Sequence, residues 1–280
     1  AAAGACPRLA PRMIYGTAWK KEKTTALVLQ ALQQGFRAVD TASQPKHYQE
    51  QLVGKAVGEA IGSGLVKREE LFLQTKFTSI DGQDRSGPLP YDPKQLYGIQ
   101  VHQSLETSLR QLQTDYVDSL VLHSPMQTFE DTMEVWTAFE ELVDQCKVLQ
   151  LGVSNCYNVE TLSRLWEAAT VKPAVVQNRF YGRVRYCKDI REFCKEKGIA
   201  FQSFWTLSGN PEVLSSPQLT AVARHRDMTP EQTLFLYLIH NDVVPLTGTT
   251  NKLHMQQDLA VLDVPPLSPE DTAAIAALLR

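Results

Sequence analysis

The sequence lacks several features that would mark whole classes of protein. Its five cysteines, from Cys6 to Cys194, are scattered and include no CxxC pair, which argues against a disulfide framework and against a structural zinc site. Its longest apolar runs, such as residues 234–239, fall far short of the roughly 18 residues that a membrane-spanning helix needs. We therefore expect reduced thiols and no membrane partner.

An excess of charge of one sign is also absent. The chain carries 28 Lys and Arg residues against 31 Asp and Glu residues, a net charge of -3, and no block of like charges. This balance argues against a nucleic-acid partner. Neither a GxGxxG nor a GxxxxGK[ST] loop is present, so the sequence has no Rossmann fingerprint and no P-loop.

The first twelve residues, AAAGACPRLAPR, are rich in Ala, Arg and Pro and contain no acidic residue. We interpret residues 1–12 as a flexible N-terminal segment. The alternative is the end of a processed transit peptide, which would place the protein in an organelle. Reduced thiols otherwise predict a cytoplasmic protein.

The remaining chain alternates short strand-like apolar runs with longer amphipathic stretches. The predicted strands cover residues 13–17, 36–41, 71–77, 119–123, 148–154, 174–180, 200–205 and 243–248. The predicted helices between them cover residues 24–34, 49–63, 98–111, 128–145, 159–169, 188–197 and 229–240. Eight repeats without a break in composition predict an α/β protein of a single domain, a (β/α)8 TIM barrel over residues 13–280.

Polar side chains stand at the ends of three successive predicted strands. Asp40 ends the second strand, Lys76 the third and His123 the fourth. Singly, each has a structural explanation: an Asp caps a helix, a Lys extends to solvent and a His packs in a core. Together they predict an acid–base site, because barrel active sites lie where the strands end. Tyr48, on the loop after Asp40, would gain acidity from a nearby cation such as Lys76.

These residues lie in motifs that resemble the aldo-keto reductase superfamily. The matching stretches are GFRAVDTA with Tyr48 and Glu50 downstream, LFLQTKF, SLVLHSP and LQLGVSN. The resemblance implies a barrel that binds an extended nicotinamide cofactor and reduces an aldehyde or ketone. It implies the catalytic set Asp40, Tyr48, Lys76 and His123, with Tyr48 as general acid, Asp40 and Lys76 tuning its pKa and His123 orienting the substrate carbonyl.

The resemblance also implies a set of cofactor-binding residues. Ser154, Asn155 and Gln177 correspond to residues that bind the nicotinamide carboxamide. Phe204 corresponds to the aromatic residue that stacks on the nicotinamide, and Trp205 takes that role if the strand is shifted by one residue. The full expected set is Thr17, Ser154, Asn155, Gln177, Phe204, Trp205, Leu207, Thr247, Gly248, Thr249, Lys252 and Asp258.

The segment after the eighth strand bears on the choice between NADPH and NADH. In the family it holds the 2'-phosphate through a Lys-Ser pair and an Arg. Here Leu246, Thr247 and Lys252 stand at those positions, which removes one cation and replaces an arginine fork by an ammonium. We expect NADPH as the cofactor, with NADH as an alternative.

Two residues are expected to line the substrate pocket. Trp19 follows the first strand, and Ser124 replaces a tryptophan that is common after the family's histidine. The segment from Asp40 to Tyr48 is about three residues longer than in the family pattern and is filled by SQPKH, so the placement of Tyr48 depends on how this loop folds.

The leading hypothesis is thus a monomeric, cytoplasmic carbonyl reductase that acts on a small-molecule carbonyl substrate. The alternative is a regulatory or redox-sensing subunit on the same barrel, which binds the cofactor with little turnover. A barrel metal hydrolase is disfavoured, because only Asp40 and His123 are suitable ligands at strand ends. We expect no metal.

Overall fold

The computed structural model describes residues 10–280. The expectation of a flexible segment over residues 1–12 therefore falls largely on residues 1–9, which lie outside the described part. Arg12 is held in place, because its Nη1 donates a hydrogen bond of 2.7 Å to the carbonyl oxygen of Leu262.

Eight parallel strands form a closed barrel in which each strand pairs with its neighbours in sequence and β8 pairs with β1. The strands are β1 Ile14–Gly16, β2 Ala38–Asp40, β3 Phe72–Phe77, β4 Ser119–Leu122, β5 Leu151–Ser154, β6 Val175–Arg179, β7 Ala200–Phe204 and β8 Val243–Thr247. This confirms the predicted (β/α)8 barrel in a single domain. The observed strands are shorter than the predicted ones, because residues at the ends of several predicted strands form no strand-to-strand pairing.

The helices surround this barrel. They are α1 Thr24–Gln34, α2 Glu50–Gly62, α3 Tyr97–Leu112, α4 Phe129–Asp144, α5 Val159–Ala168, α6 Lys188–Lys197, α7 Pro211–Leu214, α8 Pro217–His225, α9 Pro230–Ile239, α10 Lys252–Ala260 and α11 Pro269–Leu278. The predicted ranges did not include α7, α8, α10 and α11, three of which begin at prolines. Proline suits a first helical position, where the missing N–H would have no partner within the helix.

Alternation along the strands determines what fills the barrel. Ile14, Ala38, Phe72 and Leu246 form a small apolar cluster of their own, while the larger core lies between the strands and the helices. Residues two positions further along a strand point to the same face. Polar side chains such as Gln74 therefore stand above the apolar cluster, towards the ends of the strands.

The helices α2 and α3 pack closely at Gly54. A Cβ built on Gly54 would lie 2.7 Å from Cα of Leu112 and would also meet the carbonyl oxygen of Gln111. Both obstacles are backbone atoms, so a side chain here requires the helices to separate. At Gly62, on the same helix, no described atom lies within 4 Å of such a Cβ.

We predict that Gly54→Ala lowers the free energy of unfolding by about 1–3 kcal/mol or more, because overpacking forces backbone shifts. Gly62→Ala is the matched control and should be neutral or stabilising by up to about 1 kcal/mol, since Ala is the better helix former. Urea unfolding followed by circular dichroism measures both. Equal effects of the two substitutions would contradict the close packing of α2 on α3.

Candidate active site

A buried ion pair lies at the centre of the candidate site. Nζ of Lys76 donates to Oδ1 and Oδ2 of Asp40, at 2.7 and 2.6 Å, and to the carbonyl oxygen of Thr41 at 2.8 Å. The Lys76 side chain is 1% exposed and that of Asp40 is 4% exposed. All three donors of the ammonium are therefore used within the protein.

A layer of glutamine side chains holds the Asp40 carboxylate. Its Oδ1 also accepts hydrogen bonds from Nε2 of Gln74 at 2.8 Å and from Nε2 of Gln177 at 2.9 Å. Both glutamines donate in addition to Oε1 of Gln202. Gln177, which was expected to bind the nicotinamide, thus also fixes the carboxylate.

Tyr48 lines the cavity above this ion pair. Nζ of Lys76 lies 5.2 Å from the centroid of the Tyr48 ring, so the ammonium is near the phenol while its hydrogen bonds go elsewhere. Burial raises the pKa of Tyr48 above its ordinary value, and the Asp40 carboxylate raises it further. The sequence reasoning expected the cation to dominate; in the structure, burial does.

His123 lies beside Tyr48, with 6.1 Å between the ring centroids in an edge arrangement. Its Nδ1 forms a 2.7 Å hydrogen bond with Oγ1 of Thr78. Burial, followed by the charges of Lys76 and His47, lowers the pKa of His123 to about 3, so the imidazole is neutral at neutral pH. When Thr78 donates to Nδ1, Nε2 carries the proton and can donate it to a bound oxygen.

The long loop between Asp40 and Tyr48 folds into a compact turn around Gln44. The backbone N–H groups of His47 and Tyr48 both donate to the carbonyl oxygen of Gln44, at 3.1 and 3.0 Å. The turn absorbs the inserted residues and leaves both His47 and Tyr48 facing the cavity. The placement of Tyr48 is therefore compatible with the extra length.

His47 is a cavity residue that the sequence analysis did not select. Its Nδ1 bonds to Oε1 of Gln44 at 2.7 Å, and its ring centroid lies 3.9 Å from that of Trp19. Trp19 is 63% exposed and lies at the mouth of the cavity. A signal for His47 was present in the sequence, since it is adjacent to Tyr48.

Ser154 ends β5, Asn155 follows it, and both line the cavity. Oγ of Ser154 donates to the carbonyl oxygen of Gln177 at 2.6 Å, and Nδ2 of Asn155 donates to that of His123 at 2.9 Å. Asn155 has a left-handed backbone with φ 52°. These bonds connect the ends of β4, β5 and β6.

An aromatic wall closes another side of the cavity. Phe204 ends β7, Trp205 follows it, and both line the cavity together with Leu207. Trp205 is half exposed. Arg179, at the end of β6, contacts both rings and also lines the cavity. The sequence analysis missed Arg179, although it stands two residues after Gln177 and so shares its face of the strand.

The end of β8 and the residues after it form the rim of the cavity, on the opposite side of the barrel from His123. Oγ1 of Thr247 donates to Oδ2 of Asp258 at 2.7 Å, and burial raises the pKa of Asp258 to about 6. Nζ of Lys20 donates to the carbonyl oxygen of Gly248 at 2.8 Å. Burial lowers the pKa of Lys20 to about 8. The sequence analysis missed this cation, which comes from the loop after β1.

The other expected residues divide into two groups. Leu246, Gly248 and Thr249 line the cavity with Thr247 and Asp258. The remaining three lie apart from it: Thr17 is buried and donates to the carbonyl oxygen of Asp40, Ser124 lines a neighbouring depression, and Lys252 is exposed on the first turn of α10.

The cavity has a volume of about 690 Å³, within the range of cofactor and ligand sites. It joins a buried acid–base floor, an aromatic wall and a rim with a cation. Across residues 10–280, no group of three or more His, Cys, Asp or Glu side chains is arranged to hold a metal ion. In that same part of the chain, no helix is long and apolar enough to span a membrane.

Glu50 adds a second buried carboxyl group below the site. It accepts hydrogen bonds from the hydroxyls of Thr75 and Ser108 and is 3% exposed. Burial raises the pKa of Glu50 to about 7, against the opposing effects of these two hydroxyls and of Lys76. Ionisation of Glu50 is therefore harder in the folded than in the unfolded chain.

We predict that Glu50→Gln removes a pH dependence of stability. A raised carboxyl pKa means that stability falls as pH rises through the window from about 4.5 to about 7, by on the order of 3 kcal/mol. The free-energy difference between variant and wild type should therefore shift in favour of the variant from pH 4.5 to pH 8. Glu59→Gln, an exposed position on the same helix, is the control. A constant difference across this range would contradict the raised pKa.

The chain is similar to known proteins over most of its length. A model of the Aldo/keto reductase family matches residues 12–280. Protein REDOX 2 of Catharanthus roseus is 32% identical over 264 residues, which cover 86% of this chain and 76% of that protein. Glyoxal reductase of Bacillus subtilis (strain 168) is 29% identical over 257 residues, covering 91% of this chain and 83% of that protein.

A solved structure shows the same similarity. The aldo-keto reductase AKR2E4 of Bombyx mori, crystallised in complex with NADP, superposes with a TM-score of 0.80 at 26% sequence identity. The match covers 96% of this chain and 89% of that chain.

Proposed function

The chain belongs to the aldo/keto reductase family, and from this premise we propose that it uses NADPH to reduce the carbonyl group of an aldehyde or ketone to an alcohol. One observation carries the proposal: Tyr48 and His123 face one cavity above the buried pair of Asp40 and Lys76. A proton donor, a hydrogen-bond donor for the carbonyl oxygen and a fixed cation are thus within one site.

The residues of the cavity suit an extended, anionic dinucleotide. Ser154, Asn155 and Gln177 would hold the carboxamide, and Phe204 or Trp205 would stack on the nicotinamide. The segment 247–249 would face the phosphates, with Lys20 as the nearby cation. Lys20 is buried without a carboxylate within ion-pair distance among the described residues, and a phosphate would stabilise its charged form. When bound, NADPH supplies the hydride.

The protein supplies orientation and the proton. The neutral His123 donates from Nε2 to the carbonyl oxygen of the substrate, which fixes the carbonyl in place. The Tyr48 hydroxyl then gives its proton to that oxygen as negative charge develops there. The charge of Lys76, held by Asp40, lies close to the Tyr48 ring and favours the phenolate that is left. Trp19 and His47 bound the entrance for the substrate.

Compartment and assembly form part of the same proposal. Cys146, Cys156, Cys187 and Cys194 are free thiols, as is usual in a reducing compartment. This supports a cytoplasmic protein. We also propose that it acts as a monomer.

We predict that Tyr48→Phe abolishes carbonyl reduction, while the affinity for NADPH, followed by quenching of tryptophan fluorescence, stays within about threefold, since the hydroxyl acts in chemistry more than in binding. His47→Gln is the matched comparison, and it should keep most of the activity. Rates are measured as NADPH oxidation with a panel of aromatic, aliphatic and sugar aldehydes.

The pH dependence of the rate distinguishes Tyr48 from His47 as the proton donor. The pKa of His47 lies below its ordinary 6.5, because of burial and Lys46. A reaction driven by protonated His47 would therefore slow as pH rises from about 6 to 8, whereas the Tyr48 hydroxyl stays protonated over that range. Loss of activity in His47→Gln together with such a decline would assign the proton to His47 instead.

A second candidate function is favoured by one observation. The three donors of Lys76 are used by Asp40 and Thr41, and the pKa of Tyr48 is raised, which makes the phenol a weak acid. A chain of this kind could bind the cofactor as a redox-sensing or regulatory subunit with little turnover. Tight NADPH binding without turnover on any carbonyl of the panel would establish this alternative.

We predict that NADPH binds more weakly as pH rises from about 7 to 9.5, because Lys20 loses its charge above its pKa of about 8. Lys20→Met should weaken NADPH binding by about tenfold at pH 7, since a charge-assisted contact is lost, and should flatten the pH dependence. Lys21→Met, at the next and exposed position, is the control. An unchanged pH dependence in Lys20→Met would remove Lys20 from the phosphate site.

A further inference from the structure

Arg179 is a cation in the wall of the cavity for which the proposed reaction has no use. It is the last residue of β6, and alternate residues of a strand share a face, so it points the same way as Gln177. Gln177 contacts Asp40 on the floor of the cavity. At about 3.3 Å per residue, Arg179 therefore stands roughly 7 Å above that floor, nearer the mouth.

Three aromatic rings hold the guanidinium in place. Its carbon lies 3.9 Å from the ring centroid of Trp205, 5.5 Å from that of Tyr181 and 5.8 Å from that of Phe204. Contacts of this kind stabilise a cation and fix its plane, but they offer no hydrogen-bond acceptor. The rings leave the donors of Arg179 available to a ligand.

The charge of Arg179 lacks a partner in the described part of the chain. No carboxylate of residues 10–280 lies within 4.0 Å of its guanidinium nitrogens, and its Nε is buried without an acceptor. Of the three carboxylates in the cavity, Asp40 is bound to Lys76, Asp258 accepts from Thr247, and Glu231 lies beyond ion-pair distance of Arg179. A buried donor without an acceptor costs free energy, which an oxyanion at this place would recover.

A chain of hydrogen bonds fixes Arg179 relative to His123. The carbonyl oxygen of His123 accepts from Nδ2 of Asn155, whose Oδ1 accepts from the hydroxyl of Tyr157 at 3.1 Å. The same hydroxyl accepts from the backbone N–H of Arg179 at 3.1 Å. The group that orients the carbonyl and the unpaired cation are thus parts of one rigid wall.

We infer that Arg179 binds a carboxylate on the carbonyl substrate, so that the preferred substrates are aldehydes or ketones that carry an acid group. The inference rests on the proposed function. A single guanidinium neutralises one unit of negative charge and presents a planar pair of donors that matches a carboxylate. Trp19, which lines the mouth of the cavity, suits the apolar body of such a substrate.

The test compares 4-carboxybenzaldehyde with its neutral methyl ester, methyl 4-formylbenzoate, in NADPH-dependent reduction. Wild type should have the higher kcat/KM for the acid. Arg179→Met should lower kcat/KM for the acid by at least about tenfold, since a charge-assisted contact is lost, and should change that for the ester by less than about threefold. Arg179→Lys keeps the charge and should retain part of the preference.

Arg183→Met is the matched control, because Arg183 is an exposed arginine outside the cavity. It should change neither substrate. Equal losses on acid and ester in Arg179→Met would make Arg179 a structural residue and overturn the inference. A loss of NADPH affinity with an unchanged ratio of acid to ester would assign the guanidinium to the cofactor and would also overturn it.

A binding measurement separates this inference from the proposed reaction. Titration calorimetry of the NADP-loaded protein with 4-(hydroxymethyl)benzoate and with its methyl ester requires no turnover. Preference for the acid in wild type, lost in Arg179→Met and kept in Arg183→Met, supports the carboxylate site even if neither aldehyde is reduced. If both aldehydes are reduced but neither assay shows a preference for the acid, the reductase stands and the carboxylate site is wrong.

Discussion

The ion pair between Lys76 and Asp40 is the interaction on which the rest of the site depends. Removing two charges from water is costly, and the cost is offset only when geometry is good and the remaining donors and acceptors are satisfied. Here the ammonium has three acceptors, and the carboxylate also accepts from Gln74 and Gln177. The polar layer of the barrel therefore exists as a unit, and loss of one partner would leave the other as an uncompensated buried charge.

The buried ion pair forms the floor of the cavity because alternate residues of each strand point into the barrel. Asp40, Lys76 and Gln177 come from different strands, yet each points inward and stands above the apolar cluster of Ile14 and its neighbours. The closed barrel fixes the register between strands, so the layer cannot slide along them. Tyr48 and His123 then rest on a floor whose electrostatics are fixed before any ligand binds.

The sequence could predict the barrel and the residues at strand ends, because short apolar runs between amphipathic stretches, and the polar residues that end those runs, are local signals. It could not predict Lys20, which reaches the segment after β8 through a loop conformation. Nor could it show that the extra residues before Tyr48 fold on Gln44. Thr17 and Lys252 stay predicted cofactor residues, but the sequence could not show that Thr17 is buried against the carbonyl oxygen of Asp40 or that Lys252 is exposed on the first turn of α10.

Two cations at the cavity have no ion-pair partner among the described residues, and each could bind a different anionic ligand. Lys76 and Asp40 neutralise each other on the floor, whereas Lys20 at the rim and Arg179 in the wall have no ion-pair partner among the described residues. A phosphate at the rim would neutralise Lys20 but not Arg179. The contacts of Arg179 with Phe204 and Trp205 hold its guanidinium beside the proposed nicotinamide subsite. The positive charge of Arg179 then acts over a short distance on a ligand that binds beside that subsite. This charge therefore remains available to a negatively charged second ligand after the anionic cofactor has filled the rim.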